Sequence, residues 1–148
     1  MLTAGTGHVV APGDGRVAEL RIVRMRVLAA GEPTARAFSL VEFSGDEGPW
    51  TVPHVHRGME ESFFVLNGEF RFRVGDGQVD ASAGSYVLVP RGTPHALAAG
   101  PGGGRLLTLM VPGGLEAMFF ALAELPLGAL TDTAARAAVA STYDSVPV

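Results

Sequence analysis

The chain has 148 residues, 47% of them hydrophobic and 18% charged, which supplies material for one core and excludes disorder over the whole length. The net charge is −4, and the eleven basic residues, all arginine, form no block, so nucleic acid is excluded as the main partner. Cysteine is absent, which removes disulfides, thiolate metal sites and cysteine nucleophiles. No apolar run is long enough to cross a bilayer, and no basic stretch precedes an apolar one at the N-terminus. The expectation is a cytoplasmic protein without a membrane partner.

The first fifteen residues carry four glycines and a proline and read as a loose lead-in. From Glu19 to Leu28, Leu20 and Ile22 alternate with polar residues, and after a slip so do Met25 and Val27, the two-residue period of a strand. A turn at AAGEPT leads to a second strand near Arg36 to Phe43. Trp50 to His56 reads as extended, because Pro53 disfavours helix and Val52 and Val55 favour strand. SFFVL, from Ser62 to Leu66, is strongly β, and Asn67-Gly68 after it predicts a hairpin turn, since both residues tolerate positive φ. Phe70, Phe72 and Val74 alternate with arginines on the next strand. Further strands are expected at 78–81, 85–89, 95–98 and 105–111, with the glycine-rich run AAGPGGGR at 98–105 as a flexible hairpin loop. The regular turn spacing predicts an all-β, antiparallel sandwich or barrel over about 19–111. After Pro112 the pattern becomes helical. GLEAMFFALAEL has Leu115, Met118, Phe119 and Leu122 on one stripe, Pro126 ends it, and TDTAARAAVA predicts a second helix with Thr131 as N-cap. One or two helices are therefore expected over about 113–141, within one domain of residues 1–148. The first helix can cover the barrel mouth or pack on an outer face; its periodicity is the same in both cases.

Chemistry concentrates in three of the four histidines. In extended chain, residues two apart share a face, so His54 and His56 point together and Val55 points away. Glu61 follows five residues after His56, just before the next strand. Two imidazoles and a carboxylate converging this way suit a divalent ion. His95 begins a later strand and can be brought across a barrel to the same point. His8 reads as a surface or hydrogen-bonded histidine, and Glu60 as a solvated neighbour of Glu61. Phe63, Phe64, Phe70 and Phe72 can line a pocket or fill a core, and strand parity sends about half of them inward. Arg57 and Arg91 read as a solvated face.

The spacing of these residues resembles the cupin superfamily. Its first motif, G-x5-H-x-H-x3,4-E-x6-G, is matched by Gly48, His54, His56, Glu61 and Gly68. Its second, G-x5-P-x-G-x2-H-x3-N, is matched by Gly84, Pro90, Gly92 and His95, with Ala99 in place of the asparagine. The runs PHVHRGMEESFFVLNGEFRFRV and SYVLVPRGTPHAL, and the VPGG-plus-helix segment after them, resemble small monocupins of the quercetin 2,3-dioxygenase-like type. The resemblance implies a cupin β-barrel, a double-stranded β-helix of jelly-roll type, and a homodimer. It implies one divalent transition-metal ion (Fe, Mn, Ni, Co, Cu or Zn) on His54, His56, Glu61 and His95, with Glu61 also as general base. Phe63, Val65, Phe72, Leu97 and Phe119 are then candidates for the wall of a substrate pocket. Three imidazoles and one carboxylate leave a divalent ion with a charge of about +1 and open positions for an enol or phenol oxygen. Three functions follow: an oxygenase of flavonol-like or other enolisable aromatic or polyketide compounds, a non-redox cyclase or isomerase of a polyketide-type natural-product intermediate, and a small-ligand-binding protein.

Overall fold

The computed structural model describes residues 7–148, which form ten strands and three short helices. The lead-in alternation from Glu19 to Leu28 is split into β1 (Val17–Leu20) and β2 (Val23–Ala29). The slip in period is the turn between them, where Arg21 has φ +26°. β3 (Ser39–Gly45), the short β4 (Gly48–Pro49) and β5 (His54–Val55) follow. β6 (Glu60–Val74) and β9 (His95–Val111) are the two long strands, with β7 (Gly77–Ser82) and β8 (Tyr86–Val89) between them. Every strand pairing among the described residues is antiparallel, and the ten strands form one sheet. It is a jelly-roll sheet and not a closed cylinder, because β1 and β10 (Val146–Pro147) end the strand order without pairing to each other.

Two expected turns are bends. Asn67-Gly68 does not reverse the chain: β6 runs through it, and the register against β9 shifts there. The same tolerance of positive φ that suits a hairpin here makes a β-bulge, with Gly68 at φ +82°. The bulge also switches strand parity. Glu61, Phe63 and Val65 face inward before it, and Phe70 and Phe72 after it. The glycine-rich run at 98–105 is likewise part of β9 and not a loop. Up to Ala99 β9 pairs with β4, β5 and the end of β6; from Gly104 on, with β3 and the start of β6. Glycine is needed at this bend. A Cβ on Gly103 would lie 2.1 Å from the Gly45 carbonyl oxygen, and one on Gly104 2.7 Å from the Phe70 ring.

A single apolar cluster fills the interior, with Met25, Val41, Val65, Phe70, Phe72, Leu106 and Met110 almost without exposure. The C-terminal segment makes three helices where one or two were expected: α1 (Glu116–Ala123), α2 (Leu127–Leu130) and α3 (Thr133–Ala140). Leu115, Met118 and Leu122 are buried as their stripe predicts. Glu116, also buried, ties the start of α1 to the sheet: its carboxylate accepts from Gly31 N (2.8 Å), Ser39 Oγ (2.6 Å) and Gly114 N (3.1 Å). The N-cap of α3 is Asp132 and not Thr131. Its carboxylate accepts from Ala134 N and Ala135 N, which Thr131 is one residue too early to reach. No described helix is long and apolar enough to cross a membrane.

Candidate metal centre

β5 and β9 pair with His54 directly opposite His95, which places two imidazoles side by side with ring centroids 4.2 Å apart. His56, two residues on, is 4.8 Å from His54 and 5.1 Å from His95 by the same measure. Glu61, the second residue of β6, points inward with them. One potential donor atom from each of the four lies within 4.8 Å of the others. Glu60, with the opposite parity, points out and pairs with Arg91 at 2.9 Å. His8 is remote, at 2.7 Å from the Leu28 carbonyl oxygen.

Backbone carbonyls fix the orientation of all three rings. His54 Nδ1 donates to Val52 O at 2.8 Å, His95 Nδ1 to Thr93 O at 2.9 Å, and His56 Nδ1 to Asp144 O. A carbonyl only accepts, so the proton of each neutral ring sits on Nδ1 and Nε2 carries the lone pair. Two of those Nε2 atoms, of His56 and His95, lie 3.1 and 3.0 Å from the same oxygen, Glu61 Oε2. Lone pairs facing a carboxylate repel unless a positive charge stands among them. Three nitrogen donors and one oxygen, buried and pre-oriented, fit a divalent transition-metal ion, and His54, His56, Glu61 and His95 are the residues that could hold it.

Without an ion, protons take that place unevenly. Burial, with the nearby charge of His95, lowers His54 to about 4. Burial also opposes a charge on His56, but the hydrogen bond and charge of Glu61, with the carbonyl and carboxylate of Asp144, outweigh it and raise its pKa. For Glu61 burial favours the neutral acid, yet the hydrogen bonds and charges of His56 and His95 prevail and hold it at about 2. The carboxylate is therefore ionised at neutral pH and His54 is a bare imidazole.

His54, His56 and Glu61 form part of the wall of a cavity of about 320 Å³. Phe43, Trp50, Phe63 and Leu97 line it from the sheet, and Met118, Phe119 and Leu122 from α1. The helices thus face the cavity and do not pack on an outer face of the sheet.

Residues 40–112 match the family described as Cupin domain. Over 99 residues the chain is 26% identical to quercetin 2,3-dioxygenase of Bacillus subtilis (strain 168), an alignment covering 67% of this chain and 29% of that enzyme. Residues 40–112 are a cupin domain. The chain spans under a third of that relative. Among solved structures, the cupin superimposes on KdgF from Halomonas sp. with a TM-score of 0.67 at 18% identity, covering 76% of this chain and 99% of that one. It superimposes on oxalate decarboxylase from Bacillus subtilis with a TM-score of 0.63 at 20% identity, covering 74% and 30%. These two likenesses show the fold.

Of the residues expected at a pocket, Phe63, Leu97 and Phe119 line the cupin's cavity. Val65 and Phe72 do not. Both are packed into the core, Phe72 against Phe63 with ring centroids 5.1 Å apart. Strand parity sends them inward, but only inward residues near the open end meet free space. Sequence reasoning missed Trp50, Arg21 and Arg136 in the cavity wall, and Asp144 behind His56. The lone tryptophan inside the first motif was the one available signal; the others have no local pattern.

Proposed function

We propose that this cupin is a metal-dependent oxygenase of enolisable aromatic or polyketide-like compounds, using His54, His56, His95 and Glu61 as ligands. The observation that carries the reading is the pointing of three Nδ1-anchored imidazoles and one ionised carboxylate at a common centre on the wall of an apolar cavity. A divalent ion bound there supplies Lewis acidity toward an enol or phenol oxygen and a site for dioxygen chemistry. The chain's own residues do the rest. Phe43, Trp50, Phe63 and Phe119 hold a flat apolar body and exclude water from it. Glu61 is the proton acceptor: among the described residues both imidazole contacts fall on Oε2, so Oε1 is open to a hydroxyl proton. The likeness to quercetin 2,3-dioxygenase supports oxygen chemistry.

A non-redox cyclase or isomerase is the second reading. It is favoured by the same uncommitted Oε1, which serves proton transfer with or without oxygen. The test is elemental analysis of the purified protein, then oxygen uptake with quercetin and simpler enols after reconstitution with Fe, Mn, Ni, Co, Cu or Zn. Metal-dependent oxygen uptake is expected. Turnover at the same rate without oxygen would replace the first reading by the second, and ligand binding without turnover would make the protein a binding module. The native form is proposed to be a homodimer, supported by the exposed apolar side chains of Phe64, Tyr86, Leu88, Leu109 and Val111 on neighbouring strands β8, β6 and β9.

A further inference from the structure

Two arginines stand in the wall of the same apolar cavity. Arg21 lies at the β1–β2 turn, exposed, and Arg136 lies half-buried on α3. Neither has a carboxylate within ion-pair distance among the described residues, although other arginines do: Arg24, Arg26, Arg71, Arg91 and Arg105 all pair. Arg136 is held in place by donating Nη1–H to Leu130 O at 3.1 Å, which leaves its remaining N–H groups without a protein acceptor among the described residues. Thr131 and Thr133 also line the cavity. Burial, then the charge of Arg21, makes the cation on Arg136 less favourable than in water. Neither guanidinium has a carboxylate within ion-pair distance among the described residues, so a bound anion would give both an acceptor on the cavity side.

We propose that the cavity takes an organic acid, an apolar and preferably aromatic body whose carboxylate is gripped by Arg21 and Arg136. The planar guanidinium fork matches a carboxylate in two parallel hydrogen bonds. A cavity of about 320 Å³ has room for a body of two fused rings. The inference rests on the reading of this cavity as the substrate site and narrows its substrate class. It does not depend on the metal.

The experiment compares 2-naphthoate with the isosteric neutral 2-naphthamide by titration calorimetry, on metal-loaded and on chelator-treated protein. The expected result is that the acid binds at least ~10-fold more tightly than the amide, in both forms. Arg136→Met removes that preference by weakening the acid more than the amide, while Arg136→Lys restores part of it. Arg21→Met, on an exposed turn, weakens acid binding without touching the fold and decides the matter if Arg136→Met does not fold. Equal binding of acid and amide, or no binding of either, overturns the proposal. So does an acid preference that survives in the variants and vanishes with the metal, for then the ion takes the carboxylate. A preference that persists without metal and depends on the arginines sustains this proposal even if no metal ever proves to bind.

Discussion

Asp144 acts on His56 through two parts of one residue. Its carbonyl accepts the His56 Nδ1 proton, while its carboxylate accepts Arg57 N and Gly58 N, each at 2.8 Å, and so clamps the tail onto the segment just after His56. Asp144→Ala keeps the carbonyl but loses the clamp. The expected outcome is a loss of about 1–3 kcal/mol in stability and a drop of about 10–100-fold in metal affinity, read by denaturant titration and by competition with a chromogenic chelator. Asp144→Asn, with one acceptor left, falls between. His56→Ala removes a proposed ligand outright. The protein should then purify without stoichiometric metal yet melt cooperatively, because the core cluster does not include that side chain. Unchanged metal content would dismiss His56 as a ligand. The pKa shifts add a pH signature. His54 sits at about 4 in the folded metal-free protein against 6.5 when unfolded, so the unfolded chain takes up the proton first as pH falls. Stability present above pH 6.5 is therefore lost progressively down to about pH 4, and Glu61, moved from 4.5 to about 2, extends the loss below that. His56, raised, contributes stability that is present below pH 6.5 and lost as pH rises through its folded value, so it does not offset the acid loss. Thermal melts in chelator across pH 4–8 check this. Metal affinity behaves differently: it begins to fall above pH 6.5, where His56 already holds a proton.

β6 and β9 are long strands that bend in the middle, and their bends decide what reaches the site. Gly68 and Gly103 come together at the crossing, where a Cβ on Gly68 would lie 2.4 Å from the Gly103 oxygen. Ahead of the bend β6 delivers Glu61 and Phe63 inward; beyond it, after the change of parity, it delivers Phe70 and Phe72. A Gly103→Ala substitution would place a methyl against the Gly45 carbonyl at a positive φ of 72°. It should cost about 2–4 kcal/mol, backbone strain and overlap together. Gly128→Ala in α2 meets nothing within 4 Å and should be neutral or stabilising by up to about 1 kcal/mol. Urea unfolding of the two variants makes the comparison, and equal effects would mean that the glycine run is the slack loop its composition implies.

On the outside of the sheet, the register sets Phe64 beside Tyr86, and Leu88 and Leu109 on either side of Ser62, with Val111 next to Glu60. These five apolar side chains are 37–61% exposed on one face of β8, β6 and β9. A contiguous apolar face of this kind is unusual on a monomer. A twofold pairing of this face with its copy would cover it, and the mass in solution should be twice the chain's 15.3 kDa. Leu88→Glu should halve it in light scattering. A wild-type protein that runs at 15.3 kDa at all accessible concentrations would remove the dimer.

The extended-chain period puts His54 and His56 on one face whatever fold surrounds them, so those two and their relation to Glu61 were legible from local spacing. The choice of Glu61 over Glu60 was legible too, from the six residues that the motif sets between the glutamate and Gly68. Turn chemistry was legible only as a capacity for positive φ. Whether Asn67-Gly68 and the 98–105 glycines reverse the chain or bend it depends on which strands lie across from them, and the same φ values serve both. Nothing local marks Asp144, 88 residues from the histidine it orients, or Arg136, whose significance lies in sharing a cavity with Arg21. Those roles arise because the tail returns along β5, pairing Val146 with Val55, and α3 packs against α1 and α2 beside the cavity. Long-range packing of this kind is settled by the burial of whole faces, and a contact between distant residues leaves no period or spacing to be read in advance.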